Sequence, residues 1–238
     1  MSSRKSWTQD DFMREFDALS GYPEPKEPRL VHPKLRTIHN RIIASYRDRK
    51  FYDGDRNNGY GGLKNDGRWA PIARNMLQEY ALDDRSSVLQ IGCDKGFLLH
   101  EFLQICPAIT VRGMEISDYA IDCATPSVKP FIRKAPFTEA PFADGEFDFI
   151  IAIGPVYSLN LRDAIICLKE IQRVGKGKSF ITLGAYDTEE DLRLFRYWTL
   201  LGCTVLSRAD WIQVLSHAGY TGDYKFNTAQ SLNLTEKV

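Results

Sequence analysis

Gly92, Gly96 and Glu115 have the types and spacing of a nucleotide-binding site. The two glycines belong to the turn Gly92-Cys93-Asp94-Lys95-Gly96. It joins a short apolar run, Val88 to Ile91, to an apolar-periodic segment with Phe97, Leu98, Phe102 and Leu103. Strand, glycine turn and helix in that order open a nucleotide-type binding unit. Glycine takes backbone angles that a Cβ forbids, and its bare surface lets a ligand or the strand come close to the helix start. The helix start itself offers unpaired N–H groups to a polar or anionic ligand. Glu115 closes a second run, Ile109 to Met114, and lies 19 residues after Gly96. At about that spacing a carboxylate can accept hydrogen bonds from both hydroxyls of a ribose.

Two further stretches carry candidate groups. Residues 51–69 combine five glycines, four aromatics and several charges without periodicity. A loop of this length inside a compact domain is usually functional or disordered, and its aromatics argue against disorder. Tyr60, Asp66 and Arg68 are its candidates for contact with a ligand, against a structural reading in which Arg68 pairs with Asp66 while Trp69 and Tyr60 serve as anchors. The second stretch is Gly154-Pro155-Val156-Tyr157, which follows the apolar run Phe147 to Ile153. In open α/β sheets ligands bind outside the carboxyl ends of strands, which places Tyr157, and Asn160 after it, near a reacting group.

The elements that must position these residues alternate between strand and helix. Phe12, Phe16 and Leu19 fall at helical spacing and predict a short N-terminal helix. Four prolines in residues 21–34 predict an extended arm, and a helix follows over 35–47. A helix over 70–80 precedes the first strand. Ser117 caps a second sheet helix, residues 129–134 form a short third strand, and Phe147 to Ile153 reads as a strand buried in a parallel sheet. A helix over 161–174, a strand over 179–183, an aromatic-rich helix over 187–201 and a helix from Ser207 to Gly219 come next. Residues 222–226 and 230–235 are expected to close the sheet as an antiparallel hairpin.

The turn, Glu115 and the lead Phe142-Ala143-Asp144-Gly145-Glu146-Phe147-Asp148-Phe149-Ile150-Ile151 together resemble the class I S-adenosylmethionine-dependent methyltransferases over residues 86–226. The resemblance implies an α/β fold, a Rossmann-like, mostly parallel seven-stranded sheet with helices on both faces. It makes residues 1–69 an N-terminal helical arm and glycine/aromatic loop acting as a lid, and residues 70–238 the methyltransferase domain. It implies S-adenosylmethionine as cofactor, held by Gln90, Gly92, Cys93, Asp94, Gly96, Glu115, Ile116, Ala135, Ile153 and Gly154. The chain departs from the family at two of these positions: Gln90 stands where the family has an acid, and Asp94 where it has a middle glycine. Lys134 also replaces the acid common before Ala135. The segments Tyr60-Gly61-Gly62 and Asp66-Gly67-Arg68-Trp69 resemble a loop of bacterial small-molecule methyltransferases linked to surface-sugar pathways.

Composition narrows the partners. Apolar content of 43%, charged content of 26% and a formal net charge of zero describe an ordinary globular chain, which advertises no broad basic surface for nucleic acid and leaves a local one open. The five scattered cysteines lack metal-ligand spacing, so no metal is expected; reduced thiols suit a cytoplasmic protein. No apolar run approaches the ~18 residues of a membrane span. A homodimer is compatible with the sequence. Three readings stay open: methyl transfer to a small polar acceptor through Tyr60, Asp66, Arg68 and Tyr157; a methyltransferase-like binding or scaffold protein without catalysis; and a protein or RNA methyltransferase. The last is weakened because the resemblance implies, for members that methylate amides or bases, an Asn/Asp-Pro-Pro-Tyr motif whose first and third positions Gly154-Pro155-Val156-Tyr157 lacks.

Overall fold

The computed structural model describes residues 13–23 and 27–237. Strand β1 (Arg29–Val31), helices α1 (Ile38–Ser45) and α2 (Arg49–Tyr52) and the glycine-rich loop precede α3 (Ala70–Glu79). The alternation then runs β2 (Ser87–Ile91), α4 (Phe97–Ile105), β3 (Thr110–Glu115), α5 (Asp118–Asp122), β4 (Ile132–Lys134), β5 (Phe149–Ala152), α6 (Pro155–Ser158) and α7 (Leu161–Val174). It ends with β6 (Ser179–Tyr186), α8 (Glu189–Trp198), β7 (Leu206–Ser207), α9 (Arg208–Ala218), β8 (Asp223–Asn227) and β9 (Leu234–Glu236). The seven-stranded sheet has the order β4-β3-β2-β5-β6, with β7 and β8 both paired to β6, and each of these pairings is parallel. The carboxyl ends therefore share one edge, and the turns carrying the candidate residues crowd together there.

Strand alternation divides the core between the two faces of the sheet. Leu89, Ile91, Ile150 and Ala152 pack with α7 and α9, around Trp211 and Leu215. Val88, Phe149 and Ile151 pack on the opposite face with Met76 of α3 and Phe102 of α4. Burial on both faces explains why β5 reads Phe-Ile-Ile-Ala without a polar residue. The caps follow their sequence signals: Ser117 accepts from the Ala120 N–H, Ser207 from the Asp210 N–H, and Gly219 ends α9 in a left-handed conformation, φ +69°.

Two expectations are corrected. The expected N-terminal helix falls partly on residues outside the described ones, and residues 13–20 are not helical. Glu15 instead forms a parallel bridge to Tyr224, and the N–H groups of Met13 and Phe16 donate to the carbonyls of Thr221 and Tyr224. An outer strand leaves a row of unpaired backbone groups, and this segment satisfies those of β8 while Phe16 and Leu19 pack onto the core. The C-terminal hairpin is absent. β8 runs parallel to β6, and β9 leaves the sheet to pair with β1, with Arg29 opposite Leu234. A turn in which Thr228 and Ser231 exchange hydrogen bonds redirects the chain. Val31, Ala229 and Leu234 then bury against Leu194, Tyr197 and Trp198 of α8, which explains the aromatics of that helix.

Gly222 is the close approach on which β8 docking depends. A Cβ there would lie 2.0 Å from the Ser179 Oγ and 2.7 Å from the Ser179 carbonyl oxygen. Gly222→Ala is expected to lower stability by about 1–3 kcal/mol through overpacking, read as a lower urea midpoint at unchanged slope.

Candidate active site

The turn after β2 is built around positive backbone angles: Gly92 at φ +67°, Asp94 at +49° and Gly96 at +76°. A Cβ at Gly92 would lie 2.4 Å from the Pro155 ring, and one at Gly96 2.5 Å from Val128. Both glycines are therefore required by packing as well as by conformation. Asp94 is among the residue types that tolerate this region. Its N–H donates to Glu115 Oε2 at 2.9 Å, while Glu115 Oε1 accepts from the N–H groups of Ile116 and Ser117 at 2.8 and 2.9 Å. Glu115 is fully buried. Of roughly four acceptor positions on a carboxylate, these bonds use three.

The segment between α1 and the glycine-rich loop covers this turn. The Tyr52 and Tyr60 hydroxyls donate to the two carboxylate oxygens of Asp94 at 3.0 and 2.9 Å, and their rings stack with centroids 5.8 Å apart. Burial pushes the Asp94 carboxyl up to about 7, and the charge of Glu115 adds to this; the tyrosine hydroxyls and Arg47 act in the opposite sense. Lys95 anchors the same segment. Its buried ammonium donates to both oxygens of Asp53 at 2.8 and 2.7 Å and to the Leu63 carbonyl at 3.0 Å, and the Tyr119 hydroxyl completes the cluster on Asp53 at 2.7 Å. Ser117 donates through its hydroxyl to the Arg47 carbonyl.

On the other side of the turn, Gly154 adopts φ +101° and donates its N–H to Thr182 Oγ1 at 2.9 Å. Tyr157 accepts at its carbonyl from the N–H groups of Cys203 and Thr204 and sets its ring edge against Phe195. Burial pushes its hydroxyl up to about 12 and holds the Tyr60 hydroxyl well above the ordinary phenol range. Both are neutral donors at neutral pH. The Arg47 side chain reaches from the arm to this turn, with Nη2 3.4 Å from Ser158 Oγ and the guanidinium 5.8 Å from the centre of the Phe137 ring. Gln90 Oε1 is buried without a hydrogen-bond partner among the described residues. It projects from β2 on the same face as Val88.

The sequence-predicted residues therefore divide. Tyr60 lies on Asp94, and Arg47 acts electrostatically on both Tyr60 and Tyr157. Asp66 and Arg68 are elsewhere: they pair with each other, and Arg68 also meets the hydroxyl and ring of Tyr22 beside Trp69. Ala135 spends its N–H on the Glu115 carbonyl, Ile116 spends its own on the Glu115 carboxylate, and Cys93 is buried with its thiol pushed up by desolvation. Ile153 is a half-buried core contact. Asn160 caps α7. Arg47, Tyr52, Asp53, Lys95 and Tyr119 were not foreseen. The aromatic density of residues 51–60 was the available signal for Tyr52, and nothing local marks the partnership of Asp53 with Lys95.

Residues 89–183 match the family model for a methyltransferase domain. A methyltransferase-domain model thus spans the alternation from β2 into β6. Among solved structures, the YcgJ protein of Bacillus subtilis is similar at 18% identity and a TM-score of 0.50, over 61% of this chain and 66% of that one. A Bacillus halodurans protein titled as a methyltransferase is similar at 16% identity and a TM-score of 0.50, over 62% and 68%. These likenesses bear on the fold. No curated protein sequence matches the chain. Among the described residues, no helix is long and apolar enough to cross a membrane, and no group of His, Cys, Asp and Glu is arranged to hold a metal ion.

Lys95→Met is expected to leave Asp53 without its cation and to cost about 3 kcal/mol. It should also speed proteolytic cleavage within residues 48–66 more than elsewhere. A second expectation concerns pH. Because the folded Asp94 carboxyl lies near 7 rather than at its ordinary value of 3.8, the native state binds the extra proton. Its contribution to stability is complete below the unfolded value and is lost as pH rises through 7. The melting midpoint of the wild type should therefore fall more steeply than that of Asp94→Asn from about pH 5 to about pH 8.

Proposed function

We propose that this methyltransferase transfers a methyl group to an oxygen or nitrogen of a small polar acceptor, a sugar or related metabolite, in the cytoplasm. The observation that carries this reading is the cover formed by Tyr52 and Tyr60 over Asp94. A site mouth spanned by the chain's own arm favours a small acceptor over a folded protein or an RNA duplex, and the zero net charge gives no overall positive field to attract a phosphate backbone. In this reading residues 1–69 act as a lid on the domain formed by 70–238.

The groups present suit the cofactor chemically. S-adenosylmethionine supplies an activated methyl group on a sulfonium leaving group. Gln90 Oε1, an orphaned buried acceptor, and the acceptor positions left on Asp94 would hold its ammonium, and the one position left on Glu115 would receive a ribose hydroxyl. Asp94 thus supplies the charge that Gln90 lacks. Methyl transfer is an in-line displacement, so the chain's contribution is alignment and exclusion of water. Tyr157, held neutral, would orient the acceptor by donating a hydrogen bond, and Tyr60, whose proton goes to Asp94, would offer its hydroxyl oxygen as an acceptor. Asp66 and Arg68 keep only a structural part, fixing the loop to Tyr22.

Calorimetric titration with S-adenosylmethionine and S-adenosylhomocysteine tests the site. Wild-type binding should weaken roughly 10- to 100-fold in Asp94→Asn, the loss expected for one charged hydrogen-bonding partner. Because the ammonium favours ionised Asp94, binding near pH 7 should release a fraction of a proton. The apparent heat should then differ between phosphate and Tris buffers, a difference that Asp94→Asn removes. Methyl transfer from labelled cofactor to nucleotide sugars, with none to bulk RNA or protein, would support the acceptor class; the reverse pattern would sink it.

A further inference from the structure

We propose that Arg47 is an anion-binding residue in the acceptor half of the site, so that the acceptor carries a carboxylate or phosphate close to the atom that receives the methyl group. This rests on the methyl-transfer reading above. Three observations converge on it.

The first is the state of the guanidinium. Among the described residues it reaches no carboxylate within ion-pair distance, and its hydrogen bond to Ser158 Oγ is long, 3.4 Å. An arginine has five N–H donors in a rigid fork, and among the described residues the bond to Ser158 is the one side-chain hydrogen bond that uses any of them. Asp94 is close enough to feel its charge, but both Asp94 oxygens already accept tyrosine hydroxyls.

The second is how the residue is held. Its backbone is in the left-handed region, φ +47°, a conformation that strains a non-glycine residue and persists where the surroundings impose it. Here its N–H donates to the Ala44 carbonyl and its carbonyl accepts from Ser117. The backbone is therefore fixed from both ends, and the side chain is launched across the site from the arm.

The third is what surrounds the guanidinium. Phe137 follows β4, and Ser158 ends α6, the short helix after β5. Contact with an aromatic ring leaves the N–H edge of a guanidinium available for a planar or tetrahedral anion, which it can take in bidentate fashion. Tyr60 and Tyr157 both lie within its electrostatic reach. A cation with the neutral phenol of Tyr157 within its electrostatic reach suits an acidic sugar or a phosphorylated metabolite.

The same chemistry could come from the methionyl carboxylate of the cofactor, and the experiment separates the two sources. The full-length wild type, Arg47→Met and Arg47→Lys are saturated with S-adenosylhomocysteine. Their melting midpoints are then followed against inorganic phosphate, glucuronate and, as neutral control, glucose, at matched ionic strength. Binding of S-adenosylhomocysteine and of 5′-methylthioadenosine, which lacks the amino-acid portion, is measured in parallel. The expected result is a saturable rise with phosphate or glucuronate and none with glucose. Arg47→Met should abolish the rise and Arg47→Lys should retain part of it, with S-adenosylhomocysteine affinity changed less than about threefold. A rise that survives in Arg47→Met, or no rise in the wild type, overturns the proposal. So does a loss of S-adenosylhomocysteine affinity of roughly tenfold or more in Arg47→Met with 5′-methylthioadenosine unaffected, which would assign the guanidinium to the cofactor. Failure of the wild type to bind S-adenosylhomocysteine at all would instead strike the methyl-transfer reading itself.

Discussion

The buried carboxylate of Glu115 is the constraint around which the site is organised. A carboxylate removed from water is tolerated only when its oxygens are well hydrogen-bonded, and Glu115 obtains three backbone N–H groups, from Asp94, Ile116 and Ser117. Those three bonds tie the turn after β2 to the turn after β3. They fix where Asp94 stands, and they bring Ser117 to the position from which it caps α5 and holds the Arg47 carbonyl. Positions of the turn, the second sheet helix and the arm all follow from satisfying one acid.

The same acid explains the unusual electrostatics of its neighbour. Asp94 is desolvated and lies beside a second negative group, so its proton is held far more tightly than an ordinary carboxyl's. Two carboxylates this close need compensation, and it comes from the arm: two phenol hydroxyls and the field of Arg47. Lys95, the next residue in the turn, fastens the arm from the other side through Asp53 and Leu63. Adjacent residues of one turn thus face two sides of the covering segment.

What was legible in the sequence was what local pattern determines. The strand–glycine–helix order around Gly92 and Gly96, the Ser117 and Ser207 caps, the apolar β5 and the stop at Gly219 each follow from a few neighbouring residues, and the structure places them as expected. Pairing across long separations was not legible. β9 carries Leu234 in a strand pattern that suits either a hairpin with β8 or a partner elsewhere. The choice was made by β1, some two hundred residues away, and by the aromatic face of α8. Asp66 and Arg68 looked like ligand contacts because charge and glycine cluster there, yet two residues' separation in a turn also suits a local ion pair, and Tyr22 supplied the third member. Arg47 escaped notice because at the end of an amphipathic helix an arginine reads as a solvated terminus, and only the fold turns it inward.

The departure of the turn from its family pattern acquires a physical meaning from these contacts. An aspartate in place of a glycine at position 94 brings a Cβ into a left-handed conformation and a charge beside Glu115; by itself it would weaken the turn. Placed under Tyr52, Tyr60 and Arg47, it becomes the group that gathers the arm. The arm in turn has little core of its own: Ala44, Phe51 and Tyr52 form a small cluster that includes Ala120 of α5 and packs against Tyr119 and Leu201, side chains of the domain. Neither part would keep its arrangement alone. The substitutions that make the turn depart from the pattern are therefore coupled to the segment that covers it, since Asp94 holds Tyr52 and Tyr60 and Lys95 beside it holds Asp53.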